Sequence, residues 1–289
     1  MTSPQQTQLK FQYDAKLSKL TTEVHSIRPF HSLEDANRLL FKQGGDGNHV
    51  IVTNETLFHP QGGGQPSDEG YMKWQASGTG ASDPLAGDSV LFRVEAVRMD
   101  AVHQGQVLHF GSFASSNHAS LVQSGDEVEQ TLDQEKRLLY SRLHTAGHVL
   151  GSAVRSLLET EVPGFDELKA SHFPDSAACE FQGSIEGKWK EPIQAQVNAY
   201  VNKSMPVEIE FWTEDDFRRE GLERLIPDRR LLPAGEDKFR VVRIVGAEVY
   251  PCGGTHVDST DLCGETVVKK ISRSKGISRV SYTVTGTAA

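Results

Sequence analysis

Two short motifs containing histidine constrain the fold of this chain more than any other feature. The first, His144-Thr145-Ala146-Gly147-His148, lies in a segment from Gln134 to about Glu159 whose apolar residues recur at helical spacing. Residues four apart share one face of a helix, so both imidazoles can reach a single ion. The second, Cys252-Gly253-Gly254-Thr255-His256, has a thiol and an imidazole at the same separation, with two glycines that permit a tight turn. A fold that uses both motifs must bring them together.

The side chains of these motifs form a set of ligands suited to zinc, which accepts thiolate sulfur and imidazole nitrogen. The predicted ligands are His144, His148, Cys252 and His256. The pattern leaves open whether such a zinc is structural, with four protein ligands, or catalytic, with a position for water. No glutamate follows His144, so the general base of HExxH metalloproteases is absent. A hydrolase using this site would activate water by the metal itself or with help from the substrate.

The sequence pattern of the first part of the chain is typical of a small β-barrel. Short segments rich in Val, Ile, Leu and Phe are bounded by Gly, Asn or Asp, which is typical of strands. The strand candidates are Thr22–Ile27, His49–Val52, Val90–Val97 and Gln106–Phe110. A short helix is predicted at Leu33–Phe41 and a projecting loop at Gln75–Asp88. Several short strands with little helix predict a barrel over residues 1–132.

The sequence pattern changes at Asp133, after which predicted helices alternate with predicted strands. A second helix is predicted at Glu191–Asn202, after the one that carries the first motif. The strand candidates are Ala170–Phe173, Ala177–Phe181, Val207–Phe211, Phe239–Val245, Glu265–Ile271 and Arg279–Val284. Helices among strands joined mostly as hairpins predict a two-layer α/β sandwich over residues 133–289, and therefore an α+β chain.

Composition excludes several classes of protein. With 37% hydrophobic and 24% charged residues, the chain is expected to be soluble and globular. No apolar stretch approaches the roughly 18 residues that a membrane span needs. The first residues lack the apolar core of a secretory signal, so a cytoplasmic location is expected. Three cysteines are too few for a disulfide framework, and Cys179 and Cys263, which fit no motif, are expected to be ordinary thiols.

Charge is distributed unevenly along the chain. A net charge of −9 argues mildly against nucleic-acid binding, but binding depends on local clusters. The segment Lys269–Arg279 contains five cations and no acid. Its lysines, Lys269, Lys270 and Lys275, are candidates for contacts with phosphate groups, although a solvated basic face is the simpler interpretation.

A glycine-rich segment runs from Phe58 to Gly70. Its three successive glycines, Gly62–Gly64, allow a ligand or another backbone to approach closely. Gln65 follows them with an amide that can both donate and accept hydrogen bonds. Taken alone, the segment is more simply interpreted as a flexible hairpin turn between barrel strands.

Together, these motifs resemble the editing region of alanyl-tRNA synthetases and of their free-standing relatives, the AlaX proteins. HTAGH followed far downstream by CGGTH is similar to the metal signature of that family, in order and in residue type. The glycine-rich segment Gln61–Asp68, within a preceding β-rich domain, resembles the form with an added N-terminal barrel. The resemblance extends from about Thr22 to Val284. It implies a barrel domain at residues 1–132 and a zinc-binding editing domain at residues 133–289.

The resemblance also implies a function and roles for single residues. The chain is expected to be a Zn²⁺-dependent trans-editing hydrolase that deacylates alanine tRNA wrongly charged with serine, and perhaps with glycine. It implies zinc ligation by the four residues of the two motifs, catalytic roles for Gln65 and Thr145, and a pocket for the aminoacyl end at Gly63 and Gly64. The ATP-binding domain of the synthetase cannot fit before the barrel, so neither ATP nor tRNA charging is expected.

Two other functions stay open at this point. The editing domain of threonyl-tRNA synthetases shares the metal-ligand pattern and would make the chain an editor of seryl-tRNA(Thr). The glycine-rich loop in a leading barrel argues against this. Alternatively the zinc is structural and the chain is a non-catalytic tRNA-binding module, which a fully ligated ion with no open pocket would favour.

Overall fold

A computed structural model describes residues 6–74, 90–232 and 235–285. It divides the chain into two compact units. The N-terminal unit comprises Met1–Gly62 and Ser67–Arg137, and the C-terminal unit comprises Gly63–Pro66 and Leu138–Ala289. Four residues of the glycine-rich segment therefore belong to the C-terminal unit. The assignment of residues 1–132 and 133–289 to a barrel domain and an editing domain stays a prediction.

The N-terminal unit is built mainly from strands. They are β1 (Gln8–Leu9), β2 (Lys19–Pro29), β3 (Asn48–Thr53), β4 (Glu55–Thr56), β5 (Gly70–Trp74), β6 (Val90–Met99), β7 (Val107–Phe113) and β8 (Glu127–Leu132), with one short helix, α1 (Asp35–Arg38). Six of the strands close into an antiparallel barrel in the order β2-β3-β7-β6-β5-β8. Alternating side chains of these strands fill its interior, including Val24, Ile51 and Phe92, which are fully buried.

The C-terminal unit mixes helices with two antiparallel sheets. Its elements are α2 (Gln134–Leu158), β9 (Asp166–Ser171), β10 (Ala178–Gln182), α3 (Lys190–Asn202), β11 (Val207–Trp212), α4 (Glu214–Arg219), β12 (Phe239–Ile244), β13 (Glu248–Pro251), β14 (Glu265–Ser274) and β15 (Ile277–Thr285). Strands pair in the orders β14-β15-β10-β9 and β11-β12-β13. The first four residues of α2 belong to the N-terminal unit.

The main core of the C-terminal unit explains why α2 and α3 form. Seven residues of α2 are buried there at helical spacing: Leu143, Ala146, Val149, Leu150, Ala153, Val154 and Leu158. They pack in one cluster with Ile193 and Val197 of α3 and with side chains of both sheets, such as Phe181 and Val242. Burial of an apolar stripe of this kind stabilises a helix more than intrinsic propensity does.

The predicted α+β fold with an N-terminal barrel is confirmed. Three of the four strand candidates of the first part fall within β2, β3 and β6, and the fourth, Gln106–Phe110, begins one residue before β7. Strands β5 and β8, which complete the barrel, were not predicted. The helix predicted at Leu33–Phe41 is shorter, spanning Asp35–Arg38. The loop predicted at Gln75–Asp88 lies outside the described residues. Among the helices of the described ranges, none combines the length and apolar character needed to cross a membrane.

Candidate metal centre

The two motifs meet in the C-terminal unit and form one group of four donor side chains. His144 and His148 lie one turn apart on α2, and Cys252 and His256 belong to the segment that follows β13. One ligand atom from each of the four lies within 4.8 Å of the others. The Cys252 Sγ atom is 3.5 Å from His144 Nε2 and 3.4 Å from His256 Nε2.

The two sulfur–nitrogen separations fit a tetrahedral zinc site, while the group as a whole, within 4.8 Å, is wider than the edges of such a site. With Zn–S near 2.3 Å and Zn–N near 2.0–2.1 Å, sulfur and nitrogen ligands of a tetrahedral ion lie about 3.6 Å apart. His148 supplies a second observation, because its Nδ1 atom is buried without a hydrogen-bond partner among the described residues. A buried polar atom rarely lacks a partner in a folded protein, and an ion is one explanation for it. The residues present therefore fit a metal.

The protonation state of His148 also suits a cation. Burial lowers the pKa of His148 well below its usual value, and the neighbouring His172 and Arg240 lower it further. A neutral imidazole is the form that binds metals. Burial raises the pKa of the Cys252 thiol, while the Gly254 N–H and Arg240 lower it in part. Positive charge beside the sulfur, from Arg240 or from an ion, favours the thiolate.

Gly254 explains why the second motif needs a residue without a side chain. A Cβ atom at Gly254 would overlap the His144 ring and would lie 2.7 Å from Gln65 Oε1. The sequence predicted that the two glycines serve a tight turn, but at Gly254 the reason is close approach to a metal-ligand candidate. Arg240 holds the start of the same segment, because its guanidinium donates a hydrogen bond to the Cys252 carbonyl oxygen.

Both residues predicted to be catalytic contact a histidine of the group. The Gln65 Oε1 atom lies 2.7 Å from Nδ1 of His144, and the Thr145 Oγ1 atom lies 3.1 Å from Nδ1 of His256. Gln65 is fully buried. The fold thus brings both side chains to the outer ring nitrogens of the metal-ligand candidates, whose Nε2 atoms face Cys252.

The two glycines predicted to receive substrate differ in their surroundings. Gly64 has a φ of 80°, and its carbonyl oxygen accepts a hydrogen bond from the His172 N–H at 2.8 Å. A Cβ atom at Gly64 would overlap the Ala170 carbonyl oxygen, so this close approach is to the protein's own strand β9. Gly63, with a φ of 55°, is exposed and has open space around it. Their role towards a substrate stays a prediction.

His172 is a component of the site that sequence analysis missed. Its ring stacks on that of His144 at a centroid distance of 4.3 Å and an interplanar angle of 26°. Its Nδ1 lies 2.7 Å from the Tyr282 hydroxyl, which donates to the Leu143 carbonyl oxygen, so Nδ1 carries the proton. Burial lowers the pKa of His172 to about 4, which keeps the ring neutral.

The sequence signal for His172 was Gly147, the glycine inside the first motif. A Cβ atom at Gly147 would overlap the His172 ring, so the glycine inside the first motif makes room for it. Glycine in a helix interior is about 1 kcal/mol less favourable than alanine, which marks such a position as one with a packing requirement. His172 itself belongs to no motif.

The three lysines predicted to contact tRNA lie on one hairpin of the four-stranded sheet. Lys269 occupies a register irregularity of β14, next to Lys270, and Lys275 lies in the turn to β15 with a φ of 51°. All three are exposed. Within the described residues no carboxylate pairs with them, whereas Arg279 pairs with Glu180 at 3.0 Å. The hairpin therefore presents unpaired positive charge.

Comparisons with known proteins agree with this geometry. Residues 239–281, which include Cys252 and His256, match the family described as the threonyl and alanyl tRNA synthetase second additional domain. The alanyl-tRNA editing protein AlaX-L of Pyrococcus horikoshii is 28% identical over 235 residues, covering 81% of this chain and 50% of that protein. The alanine–tRNA ligases of Methanothrix thermoacetophila and Methanopyrus kandleri are 29% and 30% identical, over 91% and 86% of this chain and 25% of each ligase.

The resemblance to alanyl-tRNA editing proteins and to part of alanyl-tRNA synthetases is therefore confirmed. The chain spans about half the length of AlaX-L and about a quarter of the ligases that it matches. Similarity to the ligases nevertheless covers most of this chain.

Proposed function

We propose that this protein hydrolyses the ester bond between a wrong amino acid and alanine tRNA, with serine as the main substrate and glycine as a second one. The observation that carries the proposal is the group of four donor atoms within 4.8 Å of one another, in a chain similar to AlaX-L. We propose Zn²⁺ as the ion, held by His144, His148, Cys252 and His256, because a Cys/His set favours zinc over the harder cations.

A bound zinc would supply Lewis acidity, polarising the ester carbonyl group or lowering the pKa of a water molecule. Residues around the metal group hold its ligand candidates in place. His144 is held through Gln65, His256 through Thr145, and the Cys252 backbone through Arg240. Such preorganisation matters because a misplacement of about 1 Å at a reacting group can cost roughly 100-fold in rate.

Physical limits on selectivity explain why such an activity is needed. A pocket for alanine cannot exclude the smaller glycine, and a mainly apolar pocket rejects an added hydroxyl group, as in serine, by only about 100-fold. A second site that removes the wrong products corrects both errors. We therefore propose alanine tRNA, rather than a free amino acid, as the partner of this protein.

A deacylation assay tests this proposal. We expect the full chain with zinc to release serine, and more slowly glycine, from alanine tRNA, and to leave correctly charged alanyl-tRNA largely intact. Prolonged treatment with a chelator should abolish release, and added zinc should restore it. Release of serine from threonine tRNA instead would assign the chain to the other branch of the matched family. Zinc binding with no release from either tRNA would favour a non-catalytic tRNA-binding module.

We also expect the lysine hairpin to contact the phosphate backbone of tRNA. Changing Lys269, Lys270 and Lys275 to Glu should weaken tRNA binding, because it replaces three exposed cations with anions. Each lost phosphate contact should lower the slope of log Kd against log salt concentration by about 1. Filter binding or anisotropy at several salt concentrations measures this slope.

Two controls accompany the lysine variant. Lys188 is also exposed in the C-terminal unit but pairs with Glu186 at 3.1 Å, so Lys188→Glu should change the salt slope little. Hydrolysis of a minimal aminoacyl ester without the tRNA body should survive the triple substitution. An equal loss on the minimal ester and on whole tRNA would show that the substitutions damaged the fold.

A further inference from the structure

We infer that Gln65 and Thr145 are positioning residues, which hold the rings of His144 and His256 for metal binding and do not touch the substrate; Gln65 also fixes the tautomer of His144. This role depends on the metal site of the proposed function but not on its substrate. It can therefore be tested by metal binding alone.

The orientation of the Gln65 amide follows from its neighbours. The backbone N–H of Thr255 can only donate, so the amide atom that it meets at 3.0 Å is the oxygen, Oε1. The same oxygen lies 2.7 Å from His144 Nδ1. An oxygen cannot donate, so Nδ1 must carry the proton. The His144 Nε2 atom is then an unprotonated acceptor, and it is this atom that faces Cys252 Sγ.

Three of the four hydrogen bonds that the Gln65 amide can make are made within the protein. Its Oε1 accepts two hydrogen bonds, which use both lone pairs. Its Nε2 donates to the Thr255 hydroxyl at 2.9 Å, and that hydroxyl lies 2.7 Å from Ser141 Oγ. The side chain is fully buried. A buried amide engaged in this way serves the protein's own structure.

Thr145 contacts the Nδ1 atom of His256 in a similar way, but its hydroxyl can either donate or accept, so it orients this ring without dictating the tautomer. The backbone N–H of Val257 donates to Thr145 Oγ1 at 3.2 Å, and the same oxygen lies 3.1 Å from His256 Nδ1. The other ring nitrogen, Nε2, faces Cys252 Sγ at 3.4 Å. Binding of an ion by Nε2 places the proton on Nδ1, which then donates to the threonine oxygen. Thr145 is fully buried, like Gln65.

Outer contacts of this kind usually change metal affinity by about 10- to 100-fold, because they fix the orientation and tautomer of the ligand. We therefore expect Gln65→Ala to weaken zinc binding by a factor in this range. Gln65→Glu should bind zinc at least as tightly as the unsubstituted protein. Its carboxylate accepts from both His144 and Thr255, and the Thr255 hydroxyl can rotate to donate to it.

The experiment measures the zinc dissociation constant of the full chain by competition with a chromogenic chelator, without tRNA. Thr145→Val and Thr145→Ser form a second pair, since valine keeps the shape of threonine but lacks the hydroxyl. Valine should weaken zinc binding by about 10- to 100-fold, and serine should restore most of it. Thermal unfolding of the metal-free proteins separates loss of affinity from loss of fold.

Two results would overturn this inference. If Gln65→Ala binds zinc as tightly as the unsubstituted protein but deacylates poorly, Gln65 acts on the substrate. If Gln65→Glu binds zinc as weakly as Gln65→Ala, then the hydrogen bond that the side chain accepts from His144 does not determine zinc affinity. Zinc affinities that follow the expected order, in a protein that hydrolyses no aminoacyl-tRNA, would support the positioning role and refute only the proposed function.

Discussion

Replacing Cys252 with alanine should abolish hydrolysis of seryl-tRNA(Ala) and reduce bound zinc from about one ion per chain to a small fraction of that. Cys252 provides the only sulfur of the metal group, and its Sγ lies within 3.5 Å of two of the imidazoles. Alanine leaves three neutral imidazoles without the anionic ligand that offsets the charge of the ion. The loss of zinc affinity should exceed the roughly 10- to 100-fold expected for an outer contact.

Metal analysis of freshly purified protein, never exposed to chelator, measures the bound zinc, and a deacylation assay on the same protein measures the rate of hydrolysis. Cys263→Ala is the matched control, because Cys263 is a buried thiol of the same unit that lies outside the metal group. It should keep about one zinc per chain. Absence of zinc from the unsubstituted protein would refute the metal site. Full zinc occupancy in an inactive Cys252→Ala protein would instead give the cysteine a role beyond holding the ion.

The second large effect is expected in the N-terminal unit, where Asp68 and Arg137 form a buried ion pair. Asp68 is 1% exposed and Arg137 is 5% exposed. The guanidinium Nε atom lies 3.1 Å from both carboxylate oxygens, and Nη2 also contacts Oδ2. The same guanidinium donates to the carbonyl oxygens of Ala15 and Leu57, at 2.8 Å and 2.7 Å. It thereby joins three separate segments of the unit.

Asp68→Ala should lower the free energy of unfolding by about 3–5 kcal/mol, because it leaves the buried guanidinium charge without its partner. It also removes the carboxylate that accepts the His59 N–H across the glycine-rich segment. For a unit of this size, the unfolding midpoint should fall by roughly 10–20 °C. Thermal unfolding followed by circular dichroism measures the change.

Asp35→Ala is a suitable control for this second variant. Asp35 also pairs with an arginine, Arg38, but its side chain is 87% exposed, and such surface pairs contribute about 0–1 kcal/mol. Equal losses in Asp68→Ala and Asp35→Ala would contradict the expected cost of the unpaired buried charge. Removing both partners, with Arg137→Met in the Asp68→Ala background, should recover part of the stability.

Much of the fold could be predicted from sequence because it is encoded by local patterns. The apolar spacing after Asp133 predicted a helix from Gln134 to about Glu159, and α2 spans Gln134–Leu158. Strands β5 and β13 were not predicted. Strand β5 begins at Gly70, the last residue of the glycine-rich segment, and its burial alternates, but its outward residues include the apolar Tyr71, so its sequence does not alternate clearly. Strand β13 has only four residues, which is too short for a clear pattern.

The sequence alone determined which side chains could form a metal group, since spacing of four on a helix and around two glycines is a local property. The tertiary structure decided how that group is held. His144 meets Gln65 across 79 residues, and Gln65 meets Thr255 across 190, so no local pattern could have revealed these contacts. His172 reaches the site only because β9 passes beside α2 where Gly147 leaves room. Spacing along the chain fixes which residues share a face, whereas hydrogen-bond partners depend on which distant segments the packed core brings together.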